Sequence, residues 1–532
     1  MKIRLCALAL LIISALILVD PPSPAQAQVQ EIRIGDSKGD WGYPNPFRHY
    51  PRGPGYVRMS WVFDTLVWKD QKGYSPALAD SWSYDPGRMA FTFNLNPKAK
   101  WHDLQPLTAQ DVVFTIEYFK KHPYTWITVG DVSRADAQGP HKVVIYLSKP
   151  YSPFISDIGG TMPIMPKHIW ESVDNPEAYN DPKAFVGSGP YRFADFNKAQ
   201  GTYLYEAFKD YYQGRPRADR LIYVRSGQPL ISLTNRQVDL ANIQPDMAEP
   251  LKQKGLVVIK DERGWNKKLM INHKKAPFSD KRFRHALAFA ISQQEIIDKS
   301  HRGFAMPASY GLLSVDHDMY NPNTPSYAFN PEKARTLIES MGYHKAADGF
   351  YQKDGSPLKI ELLSSNITVA GQSVADRDGE VIKKQLEQVG IKVDLVNLEQ
   401  ATTDSKVKTW NFDLAVSGHG GVSGDARILN EMILSKYGAG SVNSARYDED
   451  AELAALLEEQ MVEMDDGKRK KIVYKIQEVY AQVLPAISLY YPDSMSAYSA
   501  EKGIVWYYTK GGISKGIPIP QNKMSLIERS NK

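Results

Sequence analysis

The stretch GWNKKLMINHKKAPFSDKRFRHALAFAISQQEIID, from Gly264 to Asp298, decides the predicted fold because it joins a strand to a helix halfway along the chain. Lys268–Asn272 alternates as a short strand, and the Ala276-Pro277 step ends it. Ser279 or Asp280 then caps a helix. One apolar face of that helix is formed by Phe283, Ala286, Leu287, Ala290 and Ile291. A strand, a proline break and a capped helix at this position indicate a crossing between two lobes.

The length of the chain predicts more than one domain. It has 532 residues, whereas a single hydrophobic core rarely exceeds about 250–300 residues. Apolar residues make up 42% and charged residues 23%, a balance typical of soluble globular proteins. The net charge of +5 is small for this length, and no run of Lys and Arg indicates a nucleic-acid surface. We therefore expect no nucleic-acid partner.

The N-terminus predicts export. Lys2 and Arg4 precede an apolar run, Leu5–Val19, and Ala25-Gln26-Ala27 matches a small-residue cleavage site. Residues 1–27 are thus predicted to be a secretory signal peptide. The only cysteine, Cys6, precedes most of the apolar run and is not placed as a lipid-anchoring residue. Export without disulfides favours a bacterial periplasm or cell surface, and we expect no lipid anchor.

The order of predicted elements indicates α/β lobes. Glu31–Gly35 alternates as a strand, and a Gly- and Pro-rich aromatic loop follows it. Val57–Trp68 is predicted to be a helix. After the crossing, a strand at 358–363, a helix at 379–389 and a strand at 391–398 suggest a βαβ unit.

Several motifs of catalysis are absent from the sequence. It contains no H-E-x-x-H, no Walker A motif and no cysteine nucleophile. Asp316-His317-Asp318 could hold a cation, but adjacent residues of a regular element do not all face one ion, so a solvated loop is favoured. We predict that the protein is not an enzyme and has no metal site and no other cofactor.

Four segments in the same order resemble family 5 extracellular solute-binding proteins, the dipeptide-, oligopeptide- and nickel-binding components of ATP-driven (ABC) importers. The N-terminal segments are ALADSWSYD at 77–85 and FTFNLNPKAKWHDLQPLTAQDVVFTIEY at 91–118. FVGSGPYRFADF begins at 185 and DYYQGRPRADRLIYV at 210. MINHKKAPFSDKRFRHALAFAISQQEII begins at 270, and RYDEDAELAALLEE at 446 is followed by LPAISLYY at 484. The resemblance covers nearly all of the chain after residue 27.

The resemblance implies a two-lobed periplasmic-binding-protein fold of type II, in its large class. A hinge of two crossing segments then joins the lobes, and the ligand lies in the cleft between them. On this basis lobe I comprises residues 28–271 plus 497–532, including an inserted subdomain at about 82–183. Lobe II comprises residues 272–496.

The segment GHGGVSGDAR, residues 418–427, departs from the family pattern, and the difference concerns how the ligand is held. In dipeptide-binding relatives the loop reads GWxGDxGDP, and its first Asp holds the α-ammonium of the peptide. Here the loop reads GHGGVSGDAR, so that His419 replaces Trp, Val422 replaces that Asp, and Asp425 matches the second Asp. An ammonium buried without a carboxylate is costly. Either Asp425 takes the role, or the ligand presents no free amine there.

Further candidate ligand-binding residues are one cation and several aromatic side chains. Arg427 either meets a carboxylate or phosphate, or lies on the surface. The aromatic candidates are Trp41, Tyr43, Trp126 and Trp265. Their alternative role is packing in the core or the hinge.

The predicted function is that of a periplasmic substrate-binding component of an ATP-driven importer. It captures a peptide-like or related small solute between its lobes and delivers it to the membrane permease. The expected partners are this small molecule or short peptide and the permease, and the protein is expected to be a monomer. The alternatives are a non-peptide solute (an opine, a sugar or a metal chelate), a secreted hydrolase, or an open-cleft binder of unfolded chains.

Overall fold

The computed structural model of the chain describes residues 29–369, 372–438 and 441–527. The predicted signal peptide, residues 1–27, lies outside the described residues. Side chains are described for the same ranges except 367–375.

Strands of the described chain build several sheets. They are β1 (Val29–Asp36), β2 (Val67–Asp70), β3 (Gly73–Pro76), β4 (Ala79–Asp85), β5 (Ala90–Leu95), β6 (Val132–Ala137), β7 (Lys142–Leu147), β8 (Tyr191–Asn197), β9 (Thr202–Ala207), β10 (Ala218–Arg225), β11 (Leu240–Ile243), β12 (Val257–Lys260), β13 (Trp265–Ile271), β14 (Ala305–Pro307), β15 (His344–Lys345), β16 (Tyr351–Lys353), β17 (Ser356–Pro357), β18 (Lys359–Val369), β19 (Gln372–Ala375), β20 (Lys392–Leu398), β21 (Leu414–Gly420), β22 (Ala486–Pro492) and β23 (Met495–Tyr498).

Helices cover and connect these sheets. They are α1 (Gly53–Ser60), α2 (Ala109–Lys121), α3 (Lys167–Trp170), α4 (Pro229–Thr234), α5 (Ala248–Gln253), α6 (Lys281–Ala290), α7 (Gln293–His301), α8 (Pro331–Glu339), α9 (Arg377–Gln388), α10 (Gln400–Lys408), α11 (Ile428–Ile433), α12 (Ser435–Gly438), α13 (Ala451–Val462) and α14 (Asp466–Val483).

The first large sheet has the strand order β12-β23-β11-β1-β10-β9-β8. Its central strand β1 runs parallel to β10 and β11, and Ile32 and Ile34 alternate into the core as its sequence predicts. The four-stranded antiparallel sheet β4-β5-β7-β6 is inserted between β1 and β8 in the chain and shares its hydrophobic core with this first sheet. Residues 29–260 and 495–527 are called the first lobe below.

The second large sheet has the order β14-β22-β13-β21-β18-β19, with β20 paired to β18. β18 and β20 are parallel and are joined through α9, so the predicted strand–helix–strand unit is present. Helix α6 begins after Asp280, whose side chain accepts a hydrogen bond from the N–H of Arg282, and its apolar face is buried. Residues 265–492 are called the second lobe below.

Two crossings join the lobes, as the α/β two-lobed fold requires. Residues 261–264 lead from β12 to β13, and residues 493–494 lead from β22 back to β23. They lie side by side, because the N–H of Asp261 donates to the carbonyl of Ser494 at 2.8 Å. Residues 265–271 were expected in lobe I, but the pairing of β13 with β21 and β22 places them in the second sheet. The first crossing therefore ends at Gly264.

The prediction of a helix at Val57–Trp68 is wrong in both of its bounds. Helix α1 begins with Gly53 and Pro54 and ends at Ser60, and residues 67–70 form β2, which pairs with β3. Proline favours the first helical turn, which explains the earlier start. The apolar residues from Val57 to Trp68 are nearly all buried in one core, so their hydrophobicity reflects burial on all sides and not helical periodicity.

Candidate ligand-binding site

A cavity of about 690 Å³ lies between the two lobes. The first lobe lines it with the loop after β1 and the start of α1, with residues around Trp126 and Asp157, and with the C-terminal segment 515–519. The second lobe lines it with Trp265 and with the loop that follows β21. Concave sites of this size that are shared between domains are the preferred places for small ligands.

The glycine-rich end of β21 carries the Trp265 ring. β13 and β21 pair so that Trp265 lies opposite Gly420. A Cβ on Gly418 would lie 2.4 Å from the indole Nε1 of Trp265, and one on Gly420 would lie 3.1 Å from its Cε3. These glycines therefore leave the space in which the indole lies, and the ring remains 41% exposed at the cavity.

Aromatic side chains form the wall that the first lobe contributes. Lys38 lies over Trp41 and Tyr50, with its Nζ 4.4 and 4.1 Å from the two ring centres. The indole N–H of Trp41 donates to Asp36 at 2.9 Å, which fixes the orientation of the ring. Trp126 packs against Tyr56 at 4.9 Å between ring centres. This wall offers flat apolar surfaces to a ligand.

Asp425 is held by a cation of its own lobe. Both of its oxygens accept hydrogen bonds from Arg469, at 2.5 and 2.9 Å. Burial alone would raise the pKa of Asp425, but the charge and hydrogen bonds of Arg469 outweigh it and hold this pKa well below the usual range. Asp425 therefore lines the cavity as a carboxylate whose charge is already balanced.

Arg427 links the lobes instead of facing solvent. Its Nε lies 3.2 Å from Asp157 of the first lobe, and its Nη1 donates to Glu431 at 2.7 Å. Lys515 of the first lobe lies 3.5 Å from Glu431. Burial would raise the pKa of Glu431, but Lys515 and Arg427 outweigh it and lower this pKa to about 2. The network thus consists of charged groups drawn from both lobes.

His419 is a half-buried neutral base on the cavity wall. Its Nδ1 lies 2.6 Å from the carbonyl of Gly420. Burial, and next the positive charge of Lys268, lower the pKa of His419 to about 4. The imidazole is therefore uncharged at neutral pH, with a ring nitrogen available for a hydrogen bond to a ligand.

Close contacts between backbones bring the lobes together beside the cavity. A Cβ on Gly424 would lie 2.6 Å from the carbonyl oxygen of Lys515, and one on Gly516 would lie 2.8 Å from that of Gly421. Ser152 of the first lobe also donates its N–H and its hydroxyl to the carbonyls of Met461 and Gln460, at 2.9 and 2.8 Å. The lobes are therefore in contact on more than one side, as in a closed form.

The structure brings six of the eight predicted residues to one cavity. These are Trp41, Trp126, Trp265, His419, Asp425 and Arg427. Tyr43 instead packs against Phe185 and Phe196 at 6.0 and 5.3 Å between ring centres. Val422 is fully buried among apolar residues of the second lobe. Those two side chains belong to packing and not to the cavity lining.

Several residues that line the cavity were not predicted from the sequence. Glu431 lies four residues after Arg427, a helical spacing that predicts an ion pair and could have found it. Arg52, Asp157 and Lys515 come from distant parts of the chain, and only the tertiary fold brings them to the cavity. The predicted solvated loop Asp316-His317-Asp318 is instead engaged: Asp316 pairs with Arg263 at 2.6 Å, and His317 bonds the carbonyl of Gly424 at 2.8 Å.

The described parts of the chain contain neither a cluster of metal-ligand side chains nor a membrane-spanning helix. Within residues 29–369, 372–438 and 441–527, no three His, Cys, Asp or Glu side chains are grouped so that they could hold a metal ion. Over the same ranges, no helix has both the length and the apolar character needed to cross a membrane.

Comparison with known proteins agrees with the geometry. Residues 73–441 match the family described as bacterial extracellular solute-binding proteins, family 5 Middle. Heme-binding protein A of Haemophilus influenzae is 25% identical over 465 residues, which cover 80% of this chain and 81% of that protein.

Solved structures share the two-lobed fold. NikZ from Campylobacter jejuni, solved with Ni(L-His), superposes with a TM-score of 0.76 at 22% identity and covers 92% of this chain and 97% of its own. The oligopeptide-binding protein AppA from Bacillus subtilis, solved with a nonapeptide, gives a TM-score of 0.72 at 22% identity and covers 93% and 99%.

Proposed function

Because the chain belongs to the family 5 bacterial extracellular solute-binding proteins, we propose that it is the periplasmic substrate-binding component of an ATP-driven importer. It captures a peptide-like or related small solute between its lobes and delivers it to the membrane permease. Members of this family are binding components of transporters and not enzymes, so the secreted-hydrolase alternative is not favoured.

The observation that carries this proposal is the cavity shared by the two lobes. A ligand in it touches Trp41 and Trp126 of the first lobe and Trp265 and His419 of the second. Only a form in which the lobes meet offers all these contacts at once, so binding shifts the population toward that form. A permease can then distinguish loaded from empty protein by the relative position of the lobes.

The chemistry of the solute is proposed from both the cavity and the relatives. The relatives include heme-, dipeptide- and oligopeptide-binding proteins, and a protein of similar fold was solved with a nickel–histidine complex. We retain the six cavity residues as ligand contacts, with Trp41, Trp126 and Trp265 supplying flat apolar surface. Asp425 is already balanced by Arg469, which argues against its taking an ammonium group.

We propose that the protein acts in the periplasm, together with a membrane permease. Relatives of this family act outside the cytoplasm, as periplasmic or extracellular binding proteins. The sequence of residues 1–27 supports export by a cleaved signal peptide without a lipid anchor. The proposed partners are the solute and the permease, with no nucleic acid, and the protein is proposed to act as a monomer.

Native mass spectrometry of the protein purified without refolding tests the proposal, with denaturation used to identify what is released. We expect one small solute per chain, or stoichiometric uptake of one after screening peptides, opines, sugars and metal chelates. Turnover of any of these compounds by the purified protein would instead favour a hydrolase. Binding that does not saturate at one small molecule per chain would favour a binder of unfolded chains.

A further inference from the structure

The charges around the cavity are unevenly balanced. Every carboxylate that lines it is already in an ion pair: Asp157 with Arg427, Asp425 with Arg469, and Glu431 with Arg427 and Lys515. The cavity therefore holds no free carboxylate among the described residues with which to receive the ammonium group of a ligand. Two cations, Arg52 at the cavity and the buried Lys268 on the sheet face of His419, form no ion pair within the described residues.

Arg52 is the clearest of these cations. It lines the cavity and is exposed, and no ion pair or side-chain hydrogen bond joins it to the described residues. Arg52 stands at the N-cap of α1. Its side chain makes no capping hydrogen bond there, and the first turn of the helix contains no acidic residue. The N-terminus of a helix favours negative charge, so a cation with no counter-charge at this place is unfavourable until an anion joins it.

Lys268 is a second cation without a partner, and it is 99% buried. Within the described chain, neither a hydrogen bond nor an ion pair reaches its ammonium group. Asn266 lies opposite His419 and Lys268 lies opposite Ser417 in the pairing of β13 with β21, so Lys268 and His419 share one face of the sheet. Burial lowers the pKa of Lys268 to about 7, as expected for an ammonium that lacks a counter-ion.

His419 connects the two cations. It lines the cavity, and both Lys268 and Arg52 lie near enough to lower its pKa. Its other charged neighbour, Glu431, is occupied by Arg427 and Lys515. Arg52 and His419 line the cavity, and Lys268 lies buried on the same sheet face as His419 without itself lining the cavity. These three residues are called the basic corner below.

We infer that the solute carries an anionic group, a carboxylate in a peptide-like solute, which binds to Arg52 and His419 in the basic corner, with Lys268 as a buried cation beside them. The same solute needs no free amine, because the cavity offers no unpaired carboxylate to hold one. The inference rests on the proposed function and narrows its ligand class. The anion gives Arg52 and Lys268 the counter-charge that the protein itself does not supply.

One tripeptide in four forms tests the inference. Ala-Phe-Ala is prepared with a free or an acetylated N-terminus and with a free or an amidated C-terminus, and each form is titrated calorimetrically against the unmodified protein. The variants Arg52→Gln and Lys268→Met are titrated in the same way. Arg134→Gln, which changes an exposed arginine on β6 away from the cavity, is the matched control. Any solute released from the purified protein is identified by mass spectrometry.

The expected result has three parts. The two forms with a free carboxylate bind at least tenfold more tightly than the amides, and acetylation changes the affinity less than threefold. Arg52→Gln and Lys268→Met each lower the affinity for the acids at least tenfold and leave the affinity for the amides nearly unchanged. The control behaves as the unmodified protein does.

Other outcomes separate the inference from the proposed function. Amides that bind as tightly as acids, or binding that requires the free amine, would overturn the basic corner and leave the solute-binding function standing. If no form binds, the released solute decides: an anion supports the inference, and a neutral or cationic solute overturns it. If no form binds and nothing is released, the proposed function falls together with the inference.

Discussion

Single residues at the cavity illustrate how far a side chain's role follows from its neighbours in sequence. Trp41 and Tyr43 stand two positions apart in one loop, yet only Trp41 reaches the cavity. Gly42 between them has φ of +76°, a conformation that favours glycine and turns the chain. The two rings have different surroundings on either side of this turn, which the aromatic composition of the loop does not specify.

Gly418 gives the first prediction at this scale. We expect Gly418→Ala to lower the affinity for the bound solute about tenfold, or ~1.4 kcal/mol, because the new methyl group displaces the Trp265 indole from the cavity wall. Titration calorimetry measures the affinity, and tryptophan fluorescence reports the displaced ring.

Gly87→Ala in an exposed turn is the control, since its Cβ would meet nothing closer than 3.4 Å. An unchanged affinity in Gly418→Ala would show that the indole does not contribute to binding. The double variant Gly418→Ala with Trp265→Ala should bind no more weakly than Trp265→Ala alone.

Asp261 in the first crossing gives a pH-dependent prediction. Burial, partly opposed by the N–H of Gly264, raises the pKa of Asp261 from 3.8 to about 6. The folded protein therefore keeps this proton to higher pH than the unfolded chain does. Its contribution to stability is complete below about pH 4 and is lost as pH rises toward 6, a loss of about 3 kcal/mol.

The variant Asp261→Asn tests whether ionisation of Asp261 lowers the stability of the folded protein as pH rises. The amide keeps an acceptor for the N–H of Gly264 but cannot ionise. The free energy of unfolding of the variant should equal that of the unmodified protein near pH 4 and exceed it by up to about 3 kcal/mol at pH 7. Denaturant titrations at several pH values measure it, with the exposed Asp348→Asn as control. A difference that does not change with pH would contradict the prediction.

At the scale of elements, the bounds of helices and strands depend both on local sequence signals, such as caps, and on how the segment is buried in the fold. The start of α2 was predictable, because Thr108 and Asp111 have capping-box spacing and Asp111 accepts from the N–H of Thr108 at 2.8 Å. The bounds of α1 were not, since a segment buried on all sides shows no clear helical period. The same limit explains β13, whose first residues Trp265 and Asn266 look like hinge but pair in the second sheet.

The cap of α2 yields the prediction for this scale. Asp111 also accepts from the N–H of Lys167 at 3.0 Å, so it ties the start of α2 to α3. Asp111→Ala should lower the free energy of unfolding by about 2 kcal/mol, because it leaves the part-buried N–H groups of Thr108 and Lys167 without their acceptor. Thr108→Ala should cost about 1 kcal/mol, and Thr108→Ser should be nearly neutral. If denaturant titrations give Asp111→Ala and Thr108→Ala the same free energy of unfolding as the unmodified protein, the capping box does not stabilise the fold.

At the scale of the whole molecule, the two-lobed fold and its class followed from motifs spread over the chain, whereas the charges that join the lobes did not. Arg427 illustrates the difference. Its proposed roles were ligand contact or surface residue, but its pairing with Asp157 depends on a residue 270 positions away on the other lobe. No local pattern contains that information.

This pair leads to the last prediction. Asp157→Asn should weaken solute binding about three- to tenfold, because it removes a charge interaction that exists only when the lobes meet. Calorimetry measures the affinity, and small-angle scattering without solute should show a more open average shape. Asp174→Asn, which removes an exposed pair with Lys121 inside the first lobe, should change neither. A closed shape in Asp157→Asn would contradict this assignment.

The strand order of the first sheet also has a consequence for how the protein is made. β23 lies between β12 and β11, so an interior place in the first sheet, next to its edge strand, is filled by residues 495–498 of a 532-residue chain. The second lobe is one continuous segment and can complete its sheet before those residues are synthesised or exported. The first lobe begins the chain yet is finished last, so a chain cut short before residue 495 would present a gap between two strand edges, a ready template for aggregation.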